Sequence, residues 1–269
     1  MKDYIQINDV SYGNHERQKA DIFIPKNAKS NSGLILFIHG GGWSDGDKTL
    51  HHKDTTYFCN LGYICAAMNY RFVTKEISVF DELDDITMAL KAIKSKLSEY
   101  GYDVNKLILS GGSAGGHLSL LYAYSRKKES PINPVAACVY CPPVDCSDSD
   151  FLLGISGEFE DWKYEILSKC CGLTVNKSNL HNSEQQYALK KISPDEYVSP
   201  ECVPTAVFHG KLDELVPLEQ INKFINHLNR LGIKNDLLIY ENSGHAQDKD
   251  PDAVQISKKI FQKYAEMYF

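Results

Sequence analysis

The pentapeptide Gly111-Gly112-Ser113-Ala114-Gly115 carries the most chemical information in the chain. It follows an apolar run, Leu107-Ile108-Leu109, and leads into a helix-like stretch from His117 to Tyr122. A serine at such a strand-to-helix corner is pushed outward on a tight turn, and the residues two positions to either side must be small because their backbones come close together. Gly111 and Gly115 meet that need. The hydroxyl then stands at a helix N-terminus, where N–H groups and the helix dipole favour a developing negative charge. A second glycine-rich element, His39-Gly40-Gly41-Gly42-Trp43, follows the apolar run 34–38. Three successive glycines let a backbone turn its N–H groups into a cavity. A phosphate cradle would use the same freedom, but neither a Gly-Lys-Ser/Thr ending nor G-x-G-x-x-G ahead of a helix is present.

The stretches around these motifs must bring them to one place. Residues 3–25 read as two strands, 4–7 and 20–24, with Gly13 and Asn14 in the turn between them. Residues 34–38 and 63–68 are continuous apolar runs, as expected for strands buried on both faces. The period then changes: Leu83, Ile86, Leu90, Ile93 and Leu97 fall at helical spacing over 81–98. Strands at 106–110, 135–141, 205–208 and 237–240 alternate with helices at 114–127, from Leu218 to Leu231, and at 252–267. This succession predicts an α/β fold with a mostly parallel central sheet and helices on both faces, the opening strand pair being the antiparallel exception. Between Asp145 and Pro204 the rhythm breaks for longer than any ordinary connection. Phe151, Leu152, Leu153, Phe159, Trp162, Tyr164, Ile166 and Leu167 make this stretch apolar enough to fold against something. The expectation is one domain over 1–269, with a cap insertion of short helices at about 146–200 that shapes a substrate pocket.

The 269 residues are enough for one large α/β domain. A net charge of −6 and the lack of a Lys/Arg stripe argue against a nucleic-acid partner. The basic run Arg126-Lys127-Lys128 falls where a helix should end, which suits the helix dipole. No apolar run approaches the roughly 18 residues of a membrane span, and the first residues lack the apolar stretch of a signal peptide. The expectation is therefore no membrane partner and a cytoplasmic location. The eight cysteines read as free buried thiols. Cys138 and Cys141 form a C-x-x-C on the predicted strand 135–141, where residues an odd number apart point to opposite faces. They are not expected to share a metal, and neither a metal nor a cofactor is expected elsewhere.

The segments HGGGW, GGSAGG, HGKLDELVP and NSGH, in this order over roughly residues 18–267, resemble the α/β-hydrolase superfamily. The HGGG element resembles its hormone-sensitive-lipase and small-esterase branch. The resemblance implies Ser113 as nucleophile, Asp213 as acid and His245 as base. It also implies an oxyanion hole from the N–H groups of Gly41, Gly42 and Ala114. An imidazole is needed because a serine hydroxyl is a poor nucleophile near neutral pH. The carboxylate would hold the ring in one tautomer and stabilise the imidazolium, and the N–H groups would stabilise the tetrahedral oxyanion. Asp145, after strand 135–141, is the rival acid. His39 is expected to order the glycine loop, and His209 precedes Asp213, the wrong order for the base. Trp43, His117 and Trp162 are the candidate substrate-binding side chains; a packed aromatic is the equal alternative for Trp43, and core or pocket wall, ahead of catalysis, is the reading of His117.

HGGGW followed by Gly46-Asp47-Lys48 is similar to compact esterases, among them acetyl-ester hydrolases and kynurenine-formamidase-like enzymes. Longer chains of the branch carry an N-terminal helical cap, whereas residues before 34 here read as strands, which speaks against a long-chain lipid substrate. The implied activity is hydrolysis of small carboxylic esters with short acyl chains through an acyl-enzyme. An arylformamidase opening N-formylkynurenine would use the same machinery, and a non-catalytic ligand-binding module is the rival from another class. The implied partner is the small ester itself. Many such esterases pair, which leaves a homodimer open.

Overall fold

The computed structural model describes residues 3–28, 33–153 and 158–269. Eight strands make one sheet: β1 (Tyr4–Ser11), β2 (Lys19–Pro25), β3 (Leu34–Ile38), β4 (Ile64–Met68), β5 (Lys106–Gly112), β6 (Asn133–Tyr140), β7 (Thr205–Gly210) and β8 (Asn235–Tyr240). Their order across the sheet is β1-β2-β4-β3-β5-β6-β7-β8. Strands β3 to β8 are parallel. The antiparallel exception differs from the expected opening pair: β2 alone is reversed, and it pairs antiparallel with both β1 and β4.

Side chains alternate across the sheet with the strand period of two. Leu34, Leu36, Ile38, Leu107 and Leu109 enter one core, while Ile35, Phe37 and Ile108 enter the other. The first core is covered by α2 (Val79–Glu99), α3 (Ala114–Ser125) and α7 (Leu218–Arg230). The second is covered by α1 (His52–Asn60) and α8 (Pro251–Tyr268) through Phe58, Phe261 and Tyr264. Helix α2 starts where Asp81 Oδ2 accepts from the Ser78 backbone N–H at 2.9 Å, closing a reciprocal cap.

The long stretch after Asp145 holds α4 (Ser149–Leu153), α5 (Glu158–Cys171), α6 (Ser183–Lys191) and a 3-10 turn at Pro194–Tyr197. Phe151, Leu152, Tyr164, Ile166 and Leu167 are buried and join the first core, so this segment packs onto the domain. The side chains of Leu153 and Phe159, counted above among its apolar residues, lie outside the described residues.

The chain runs from β3 outward to β4, then returns past β3 to β5 and continues through β6, β7 and β8. The strand order therefore reverses between β3 and β5. In open α/β sheets the crevice beyond the carboxyl ends of such a strand pair is the usual ligand site. His39-Gly40-Gly41-Gly42 leaves β3 and Ser113 leaves β5, so both motifs open into that crevice.

Candidate active site

Ser113 sits between the last residue of β5 and the first of α3 with φ +52° and ψ −123°, a region non-glycine residues rarely occupy. The turn is clamped from both sides. Ser113 N–H donates to Tyr140 O at 2.8 Å, and Ser113 O accepts from His117 N–H at 2.9 Å. A Cβ on Gly111 would lie 2.4 Å from Ile38 O, and one on Gly115 would lie 2.0 Å from the same oxygen. Both glycines are thus required by close backbone approach to β3.

His245, on the loop after β8, bridges the other two predicted side chains. Its Nε2 accepts from Ser113 Oγ at 2.9 Å. Its Nδ1 donates to Asp213, 2.8 Å from Oδ2 and 3.0 Å from Oδ1. Asp213 is held in turn, because Oδ1 accepts from the N–H groups of Leu215 and Val216 at 2.9 and 2.8 Å. Burial pulls the His245 pKa down, but the Asp213 hydrogen bond and the neighbouring Cys141 outweigh it and raise the imidazole above 6.5. Asp145 is elsewhere: its Oδ1 accepts from Ser147 N–H and Oγ at 2.8 and 2.6 Å, tying the start of the insertion. His209 donates from Nε2 to Val216 O at 3.0 Å and does not reach Ser113.

The glycine loop after β3 is fixed through His39. Burial pushes this imidazole down to about 4, so it is neutral. Nδ1 donates to Gly40 O at 2.7 Å, and Nε2 accepts from Arg17 Nη2 at 3.1 Å. Tyr70 stacks on the ring at 4.3 Å and donates to His39 O at 2.9 Å. Asp47 and Lys48 anchor the far end, Asp47 to Thr49 N–H at 2.9 Å and the buried Lys48 to Asp21 at 2.9 Å. Gly41 and Gly42 have φ of +116° and +55°, and a Cβ on Gly41 would fall 2.2 Å from Asp45 O. Among the described residues, no protein acceptor engages the N–H groups of Gly41, Gly42 or Ala114.

Ser113 and His245 line two chambers. One, of about 420 Å³, lies under the insertion and is walled by Trp43, Phe151, Trp162, Lys163 and Leu167. The other, of about 780 Å³, lies on the α1 and α8 side, between Phe37, Phe58, Tyr140 and Tyr240. Trp43 and Trp162 therefore stand where substrate binding was expected, and Trp162 packs over Gly42, whose Cβ would meet its ring at 2.6 Å. His117 lines neither chamber. It is fully buried, its Nδ1 accepts from Trp43 Nε1 at 3.1 Å and its Nε2 donates to Ile192 O at 2.7 Å. With both nitrogens taken, it supports Trp43 instead of touching a ligand.

Residues 20–228 match the family model BD-FAE. The chain belongs to the BD-FAE family. This family member is 29% identical over 242 residues to the probable carboxylic ester hydrolase LipM of Mycobacterium tuberculosis, with 86% of this chain and 53% of that protein covered. It is 23% identical over 245 residues to the isoprenylcysteine alpha-carbonyl methylesterase ICME of Arabidopsis thaliana, with 88% and 55% covered. The chain spans about half the length of the curated relatives it matches. Its fold is that of the α/β-hydrolases: it superposes on esterase B of Lactobacillus rhamnosis with a TM-score of 0.80 at 18% identity, covering 99% of this chain and 87% of that one.

Two residues of the site were not legible beforehand. Strand β6 ends at Tyr140, and Cys141 turns out of it with φ +40°. Strand alternation thus stops one residue too early to govern Cys141. Its Sγ lies 4.0 Å from His245 Nε2 and 3.5 Å from His245 O. Cys141, Asp213 and His245 bring donor atoms within 4.8 Å of one another, but both imidazole nitrogens are engaged by Ser113 and Asp213. The second residue, Lys163, carries no sequence signal, because a lysine on a helix is ordinarily a solvated charge.

Proposed function

We propose that this BD-FAE family member is a serine hydrolase cleaving small carboxylic esters with short acyl chains. The observation that carries this reading is the continuous hydrogen-bonded line from Ser113 Oγ through His245 to Asp213, at the mouth of two chambers able to take the two halves of an ester. The names of two similar proteins, a probable carboxylic ester hydrolase and a methylesterase, support ester chemistry. The same reading takes the insertion at about 146–200 as the cap on a single α/β-hydrolase domain. It also places the protein in the cytoplasm, where eight free thiols would stay reduced. No helix among the described residues is long and apolar enough to cross a membrane.

In this mechanism Ser113 Oγ attacks the ester carbonyl carbon while His245 Nε2 takes the hydroxyl proton. The carbonyl π electrons move onto oxygen, and the N–H groups of Gly41, Gly42 and Ala114 stabilise that oxyanion. When the tetrahedral intermediate collapses, the C–O bond to the alcohol breaks. His245 Nε2–H protonates the departing oxygen, and an acyl-Ser113 ester remains. Water then attacks the acyl carbon as His245 takes its proton. The second collapse breaks the bond to Ser113 Oγ, which recovers the proton from His245. The carboxylic acid leaves and ionises in solution. Asp213 keeps the Nδ1 proton in place throughout and balances the imidazolium charge.

Ser113→Ala is expected to lower 4-nitrophenyl acetate turnover by about 10⁶-fold, to the assay floor. A fluorophosphonate should label wild type at Ser113 and leave the variant unmodified. Wild-type rates in the variant, or an unlabelled wild type, overturn the hydrolase reading. N-formylkynurenine in the same assay separates ester from formamide preference.

A further inference from the structure

The chamber under α4 and α5 is mostly apolar, yet one lysine, Lys163, belongs to its lining. Lys163 is 4% exposed. Its amine lies 4.1 Å from the centre of the Phe151 ring and donates to Phe151 O. Other lysines of the insertion pair with carboxylates at the surface: Lys169 with Glu165 at 2.6 Å, and Lys177 with Glu160 at 3.0 Å. No described carboxylate lies within ion-pair distance of Lys163. A buried charge that lacks a counter-ion is costly, and that cost is relieved when an anion arrives.

Burial draws the Lys163 pKa down to about 8, opposed by Cys146 and Asp213, which leaves the amine cationic at pH 7. Asp45, the acidic residue of the same chamber, is exposed, and its Oδ1 accepts from Gly46 N–H at 2.7 Å. The negative charge stands at the rim and the positive charge in the wall.

We propose that Lys163 is a specificity residue that binds a carboxylate carried by the half of the ester lodged under the insertion. This rests on the hydrolase reading for the word ester, but not for the binding of the carboxylate. The preferred substrates are then monoesters of short dicarboxylic acids, or esters whose alcohol half carries a carboxylate. A charge-assisted hydrogen bond in a dry site adds to that preference.

The two tryptophans of the chain, Trp43 and Trp162, both line this chamber, so intrinsic fluorescence reports its occupancy. Wild type titrated with glutarate and with glutaramide should bind the dianion more tightly. Equal affinity overturns the proposal whether or not any variant folds and whether or not the protein turns over esters. Turnover then locates the carboxylate. 4-Nitrophenyl hemiglutarate against 4-nitrophenyl valerate tests the acyl half, and 4-acetoxybenzoate against 4-acetoxybenzamide tests the alcohol half. In Lys163→Met the anionic-to-neutral ratio of kcat/KM should fall about 10- to 100-fold for one pair, mainly through KM, and Lys163→Arg should restore it. An unaltered ratio in both pairs overturns the proposal while leaving the hydrolase reading intact.

Discussion

His245 is worked on by opposed forces, and their balance sets the pH range in which it can act as a base. Burial favours the neutral ring, whereas the carboxylate on Nδ1 and the Cys141 sulfur beside Nε2 favour the imidazolium. The second influence prevails, so the proton is held more tightly than in a free histidine. A base must be neutral to accept the Ser113 proton, and kcat/KM is therefore expected to fall as pH drops through a value above 6.5. Asp213→Asn removes the carboxylate's share of the raising influence and leaves burial opposed by Cys141 alone. The acid limb should move to lower pH, while the plateau rate falls by about 10⁴-fold as the ring loses its enforced tautomer. A pH–rate profile of both proteins checks the two effects together, and an unmoved limb would show that Asp213 does not set the His245 pKa.

At the scale of elements, the turn between β5 and α3 depends on what stands beside it. Ile38 O and His39 O of the neighbouring strand end lie 2.0 and 2.6 Å from where a Gly115 Cβ would be. Both are backbone atoms, one in the last residue of a central strand and one just beyond it, and have little room to retreat. Gly115→Ala should cost about 3 kcal/mol of stability, with loss of Ser113 labelling by fluorophosphonate. Chemical denaturation gives the first quantity and a probe gel the second. This dependence was readable beforehand, since a serine corner demands small residues at its flanks whatever surrounds it. Helix α1 was not. Of its nine residues, from His52 to Asn60, only Thr55, Phe58 and Cys59 are fully buried. Three inward positions in a polar, partly β-branched stretch leave too faint a helical period. The end of β6 was missed for a related reason: apolar residues continue through Cys141, while the backbone has already turned.

For the molecule as a whole, Glu82 on α2 couples stability to pH. It is fully buried, and neither carboxylate oxygen has a hydrogen-bond partner among the described residues. Burial, followed by the charges of Asp85 and Asp81, raises its pKa well above 4.5 against the smaller pull of Arg71 and Arg17. The folded protein thus keeps a proton that the unfolded chain gives up above about pH 4.5, and stability is lost as pH rises beyond that value. Glu82→Gln is neutral throughout. Its melting temperature relative to wild type should be about 3 °C higher at pH 8 than at pH 4, the change that ~1 kcal/mol produces in a large domain. A difference independent of pH would mean that Glu82 is ionised in the fold. The sequence by itself determined the strand and helix succession and the order of the four motifs, because periodicity and glycine spacing are local properties of a chain. Only the tertiary structure decided that His245 reaches Ser113, that Cys141 joins them, that Asp145 and His117 are kept away, and that Lys163 faces a chamber. Each of those outcomes depends on where distant backbone segments meet, and no residue carries that information in its own neighbourhood.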